Sequence, residues 1–232
     1  MKLICVPGLD GAGLLFSSFL DALNRNGQHD TATISYDRAC FENLDSFARF
    51  IRDEIARCSQ GRPYVLLLES FSTCLMPQLL GQAELRGIVL VAGFLSPPNK
   101  LIVAAKKMRL LKPLAIISKY LPWPSFLLNT VIRSPKDRVV LKHQIKQIPT
   151  QTLTNRLTIL ASLPTEVGHQ SVPISGLYLR SQPDFLVWKN RHNEFQSILP
   201  NLKTIDVSGP HFLLQSQPEL CAQHTTEFIT SI

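Results

Sequence analysis

The sequence predicts an α/β fold built on a mostly parallel sheet of about six strands and interrupted by one helical insertion. Three observations predict it. Short apolar runs of β-rich composition recur along the chain, as at Leu3 to Val6 and Tyr64 to Leu68, and helical patterns separate them. Strands joined through helices pair in parallel, because a parallel neighbour is reached only by a crossover. The alternation stops between residues 97 and 164, where prolines at 97, 98, 113, 122, 124, 135 and 149 divide apolar, basic pieces with no strand pattern. It resumes afterwards with two more strand patterns and a terminal helix.

Leu3 to Val6 ends at Pro7-Gly8, which suits a buried strand running into a tight loop, GLDGAG. Thr31 to Tyr36 alternates as a second strand. Leu44 to Cys58 places Leu44, Phe47, Ile51 and Ile55 on one face and Arg49, Arg52, Asp53 and Arg57 elsewhere, the pattern of an amphipathic helix. Tyr64 to Leu68 and Gly87 to Ala92 are continuously apolar, as in strands covered on both faces. Residues 97–164 read as an inserted helical cap whose Leu, Ile, Phe and Trp content suits an apolar substrate. Ile174 to Leu179 and Leu202 to Val207 complete the strands, and Ser216-Gln217-Pro218-Glu219 predicts a capping box at the start of the last helix.

A chain of 232 residues that is 45% hydrophobic can bury a substantial core as one domain, residues 1–232, with the cap as a subdomain. No apolar stretch is long enough to span a membrane, and Pro7 and Gly8 interrupt the apolar N-terminus too early for a signal peptide. A soluble, cytoplasmic protein is expected. Five cysteines form no C-x-x-C pair and lie near no metal-spaced histidines, so free thiols are expected, with no metal and no cofactor.

The formal charge of +7 is uneven, because residues 99–164 carry twelve of the 24 Lys and Arg but one of the 17 Asp and Glu. That segment lacks the interleaved aromatics and motifs of nucleic-acid binders, so no nucleic-acid partner is expected. Peripheral contact with an anionic membrane, or an anionic substrate, fits a basic and aliphatic surface better.

Chemistry is suggested where strand patterns end. Ser70, in Glu69-Ser70-Phe71-Ser72, stands between a strand pattern and a helical one. A serine on such a turn projects its hydroxyl off the sheet edge, where the following backbone N–H, that of Phe71, faces a developing oxyanion. A plain helix N-cap is the alternative reading. Asp184 follows the fifth strand pattern in SQPDF, and His211 follows the sixth in SGPHF; of six histidines, only His211 directly follows a well-patterned strand. A turn aspartate beside Pro183 is the alternative for Asp184. Asp206, in the sixth strand, is the rival acid. The GLDGAG loop matches neither the dinucleotide fingerprint nor the P-loop, and it can turn the Leu9 N–H toward Ser70.

VPGLDGAG, LLLESFS, YLRSQPDF and SGPHFLLQ together resemble the α/β-hydrolase family, particularly its small esterase- and lipase-like members. The resemblance spans nearly the whole chain outside the cap. It implies a Ser-Asp-His triad at Ser70, Asp184 and His211, an oxyanion hole at Leu9 and Phe71, and a sheet lacking the family's first two strands. It further implies an acyl-enzyme route for a small ester or thioester with an apolar part. Leu68 and Ser72 replace the glycines of the usual G-x-S-x-G turn, so Leu68 is expected to require local repacking. A non-catalytic member binding a membrane or partner through its cap, and a C–C bond hydrolase or lyase using the same triad, are the other functions compatible with these residues.

Overall fold

A computed structural model describes residues 1–27, 29–120, 132, 134–166, 171–187 and 192–232. Pro122, Trp123, Pro124, Phe126 and Arg133 of the expected cap, and His169, lie outside the described residues. Six strands form one sheet: β1 (Lys2–Val6), β2 (Asp30–Thr33), β3 (Tyr64–Glu69), β4 (Leu85–Val91), β5 (Ser175–Gln182) and β6 (Leu202–Ser208). Their spatial order is β2-β1-β3-β4-β5-β6, and every pairing is parallel. All C-terminal ends therefore lie along one edge, where open α/β sheets place their sites.

Alternate side chains of the strands build two cores. Ile4, Val6, Leu66, Leu68, Ile88 and Leu90 join Phe47, Ile51 and Ile55 of the helix Leu44–Ser59 on one face. Leu3, Cys5, Val65, Leu67, Val89 and Val91 meet Phe19 and Leu23 of the helix Ser17–Asn26, and Phe228 of the helix Pro218–Ser231, on the other. The period of two in a strand makes this division, and each fully buried aliphatic side chain contributes on the order of 1.5–3 kcal/mol. The continuous apolarity read in β3 and β4 reflects this double coverage.

Two local expectations change. The second strand ends at Thr33: Ile34 N–H still donates to Cys5 O of β1 at 2.9 Å, and the chain then leaves the sheet, with Tyr36 N–H donating to Gly11 O at 2.7 Å. Tyr36 is thereby packed under the loop after β1. The capping box is also absent. Ser216 closes the short helix Leu213–Ser216, so Gln217 stands at the start of the last helix without a side-chain capping bond, and Glu219 pairs with Arg25.

Between β4 and β5 lie the helices Lys100–Lys107, Leu111–Tyr120, Pro135–Gln147 and Thr150–Ala161. Asn99 caps the first by accepting from Ile102 N–H at 3.1 Å, and Ser134 caps the third by accepting from Asp137 N–H at 3.3 Å. Thr150–Ala161 packs against the first two, and Ile102, Ala115 and Leu153 extend the first core over the sheet edge. Among the described residues, no helix is long and apolar enough to cross a membrane.

Candidate active site

Ser70 follows β3 directly and has φ of +50°, a left-handed conformation that strains a residue with a side chain. Neighbouring bonds hold it there. Thr73 Oγ1 donates to Ser70 O at 2.6 Å, while Ser72 Oγ accepts from Glu69 N–H at 3.0 Å and donates to Val6 O at 2.9 Å. Residues Ser70–Leu75 form a 3-10 helix, with a single α turn, Met76–Leu79, beyond it. The cap position is Glu69, and the Ser70 hydroxyl meets a histidine rather than a helix N–H.

Ser70 Oγ lies 2.7 Å from His211 Nε2, and His211 Nδ1 lies 2.8 Å from Asp184 Oδ2. The second Asp184 oxygen accepts from Leu186 N–H at 2.8 Å and Val187 N–H at 3.1 Å. The loops bearing the two residues are tied together. Ser181 Oγ donates to Gly209 O at 2.7 Å, and Gly209 N–H donates to Gln182 O at 3.0 Å. Asp206 does not join this row: Arg180 grips both its oxygens, at 2.5 and 2.6 Å, on a half-exposed part of β6.

Burial opposes protonation of His211, yet the charge and hydrogen bond of Asp184, with Glu69 behind, outweigh it and raise the imidazole above its ordinary value. For Asp184, burial pushes upward, and His211 with the two backbone donors prevails and holds the carboxyl below its usual range. An ionised acid on Nδ1 favours a proton there and leaves Nε2 facing the Ser70 hydroxyl as an acceptor.

Leu68 is fully buried in the register Val6, Leu68, Leu90. Close approach is provided elsewhere, by glycines on the flanking loops. A Cβ on Gly8 would stand 3.4 Å from Ser70 Cβ, and one on Gly93 would stand 2.6 Å from Thr73 Cγ2. Leu68 is therefore accommodated without the elbow glycines.

Three participants escaped the sequence reading. Glu69 is 3% exposed, and burial together with Asp10 pushes its carboxyl up to about 7, although Gln215 Nε2 donates to it at 3.1 Å. The signal was available: an acid ending an unbroken apolar run is buried with the strand. Gln215 and Arg156 had no comparable signal, since their partners lie more than a hundred residues away.

Ser70 and His211 open on a cavity of about 290 Å³. Gly8, Leu9 and Phe71 line it on the sheet-edge side, while Ile102, Leu114, Ile145, Leu153, Leu157 and Leu160 line it from the helices. No protein-family model matches the sequence, and no curated protein matches it. Solved structures do. The chain aligns with MenH from S. aureus at a TM-score of 0.75 and 12% identity, over 100% of this chain and 94% of that one. A hydrolase from Pseudomonas aeruginosa PA01 gives a TM-score of 0.77 at 12% identity, over 98% and 89%. A thermophilic esterase from Thermogutta terrifontis gives 0.75 at 14%, over 100% and 90%. The chain has the α/β-hydrolase fold.

Proposed function

We propose that this protein is a serine hydrolase that cleaves a carboxylic ester or thioester through an acyl-enzyme. The observation that carries the reading is the unbroken row from Ser70 through His211 to Asp184. In it, His211 Nε2 takes the Ser70 proton as Oγ attacks the carbonyl, and Asp184 fixes the tautomer and stabilises the imidazolium. The N–H groups of Leu9 and Phe71 hold the oxyanion. His211 then protonates the leaving group, and water, deprotonated by the same nitrogen, releases the acid. The route calls for neither metal nor cofactor. The neighbours described as a hydrolase and an esterase support the class.

Residues 97–164 act in this reading as a cap whose aliphatic side chains receive the apolar part of the substrate. A fluorophosphonate probe tests the proposal without knowledge of the substrate. Covalent labelling of Ser70, lost in Ser70→Ala, is the expected result. An unlabelled protein would overturn the proposal and leave the non-catalytic reading, and label on another serine would overturn the assignment of Ser70.

A further inference from the structure

The most constrained part of the site is the turn after β1, and the constraint comes from a helix nearly 150 residues later. Arg156, in the helix Thr150–Ala161, is 0% exposed. Its Nη1 donates to Leu9 O at 2.7 Å and Asp10 O at 3.3 Å; its Nη2 donates to the carbonyls of Tyr36, Asp37 and Ala39. A guanidinium is costly to bury, and here its hydrogen bonds go to five backbone carbonyls of two loops. The ring of Tyr36 stacks against it at 4.9 Å, and the Tyr36 hydroxyl reaches the Pro7 and Gly8 carbonyls at 2.7 and 2.5 Å. Gly11, at φ +70°, completes the arrangement, because a Cβ there would meet the Tyr36 ring at 2.8 Å and Arg156 Nη1 at 3.0 Å.

These bonds determine the direction of one amide. In a trans peptide the N–H points opposite to the preceding carbonyl. The Gly8 carbonyl is turned to the Tyr36 hydroxyl and to Gly11 N–H, at 3.1 Å, so the Leu9 N–H is turned away from them. The Leu9 carbonyl is fixed in turn by Arg156. Both peptide planes flanking Leu9 are thus set, beside the point where Gly8 passes closest to Ser70.

We propose that Arg156, with Tyr36, is a positioning residue that aims the Leu9 N–H at the oxyanion, so that the oxyanion hole is complete only when the helix Thr150–Ala161 is seated. This rests on the serine-hydrolase reading. The inserted helices then have a second role: besides enclosing substrate, they hold the turn that stabilises the transition state. A misaimed donor weakens transition-state binding more than ground-state binding, so the effect belongs in kcat.

The test compares Arg156→Lys, Arg156→Gln and Tyr36→Phe with the unaltered protein, using a short p-nitrophenyl ester and a fluorophosphonate. Each variant is expected to lower kcat and the phosphonylation rate in parallel, by about 10- to 100-fold, since displacing a reacting group by about 1 Å costs up to that much. KM should stay within about threefold, which separates this role from substrate binding. Tyr36→Phe removes one hydroxyl and reads the same turn if both Arg156 variants fail to fold. Unchanged kcat in folded variants, or a rise confined to KM, would overturn the proposal, as would failure of all three to fold, which would make these residues determinants of the fold instead. If the unaltered protein takes no label at Ser70, it is the hydrolase reading that fails; if it is labelled and the variants match its rate, only the positioning role does.

Discussion

Two walls enclose the cavity, and they are built differently. On the sheet-edge wall, Ser70, His211 and Asp184 are bonded in a row, and Glu69 and the Gly8–Asp10 turn are held by the side chains of Gln215, Tyr36 and Arg156, all at 2.5–3.3 Å. The opposite wall is aliphatic, with Leu153 and Leu157 facing inward and Leu101, Met108 and Ile117 of the same segment exposed outward. Directional bonds fix atoms to a fraction of an ångström, as bond-making chemistry needs, whereas apolar surfaces select by volume. In the proposed reaction, this contrast gives rate to the first wall and substrate choice to the second.

The largest expected effect comes from emptying the first wall of its proposed nucleophile. Ser70→Ala should lower ester hydrolysis by about 10⁴-fold or more while leaving the thermal midpoint nearly unchanged, and His211→Ala should be comparable because such residues act as a unit. Steady-state assays beside calorimetry check this. Substantial residual turnover would break the contrast.

Asp184→Asn should cost about 10²- to 10⁴-fold in kcat, and Asp206→Asn very little, because Arg180 holds Asp206 away from the row. The pH profile sharpens this. Only neutral His211 can accept the serine proton, so activity should rise with pH through an inflection above histidine's usual value of about 6.5. Removing the Asp184 charge should move the inflection down. A flat profile would point to another base.

The second wall should answer through selectivity. Leu157→Trp narrows the cavity and is expected to lower kcat/KM for long-chain esters by about 10-fold while sparing acetate esters. Equal losses for both chain lengths would place Leu157 among the rate-determining parts.

Glu69 offers a test by stability. Its folded value of about 7 lies above the 4.5 of an unperturbed glutamate, so between those values the folded chain holds a proton that the unfolded chain has released. Stability accordingly falls as pH rises through that window, and Glu69→Gln should flatten the fall, with a gain on the order of 1–3 kcal/mol at pH 8. Denaturant midpoints at pH 5 and 8 measure it. The smallest effect concerns the outward side of the second wall, where Lys106 and Lys107 adjoin the exposed Met108. Co-sedimentation with anionic vesicles, absent with zwitterionic ones and reduced by salt and by Lys106→Glu with Lys107→Glu, is expected if this surface docks on membranes, each lysine contributing about 1 kcal/mol. Equal absence with both would leave the segment as a cap alone.

The succession of strands along the chain, the helical interruption between β4 and β5, and the placement of Ser70, Asp184 and His211 after strands were legible in the sequence, because strand period, turn residues and chain order are local or ordinal properties. The tertiary structure decided the rest. It separated Asp184, after β5, from Asp206, within β6, since only the fold puts one against His211 and the other against Arg180. It ended β2 early and gave Tyr36 to the turn after β1. It also moved the need for glycine from positions 68 and 72 to Gly8 and Gly93, because the backbone that approaches the Ser70 turn belongs to the loops after the neighbouring strands β1 and β4. Arg156 reads in sequence as one more cation of a basic segment; its five carbonyl partners lie 117 to 147 residues away, and a contact at that separation leaves no mark in local pattern.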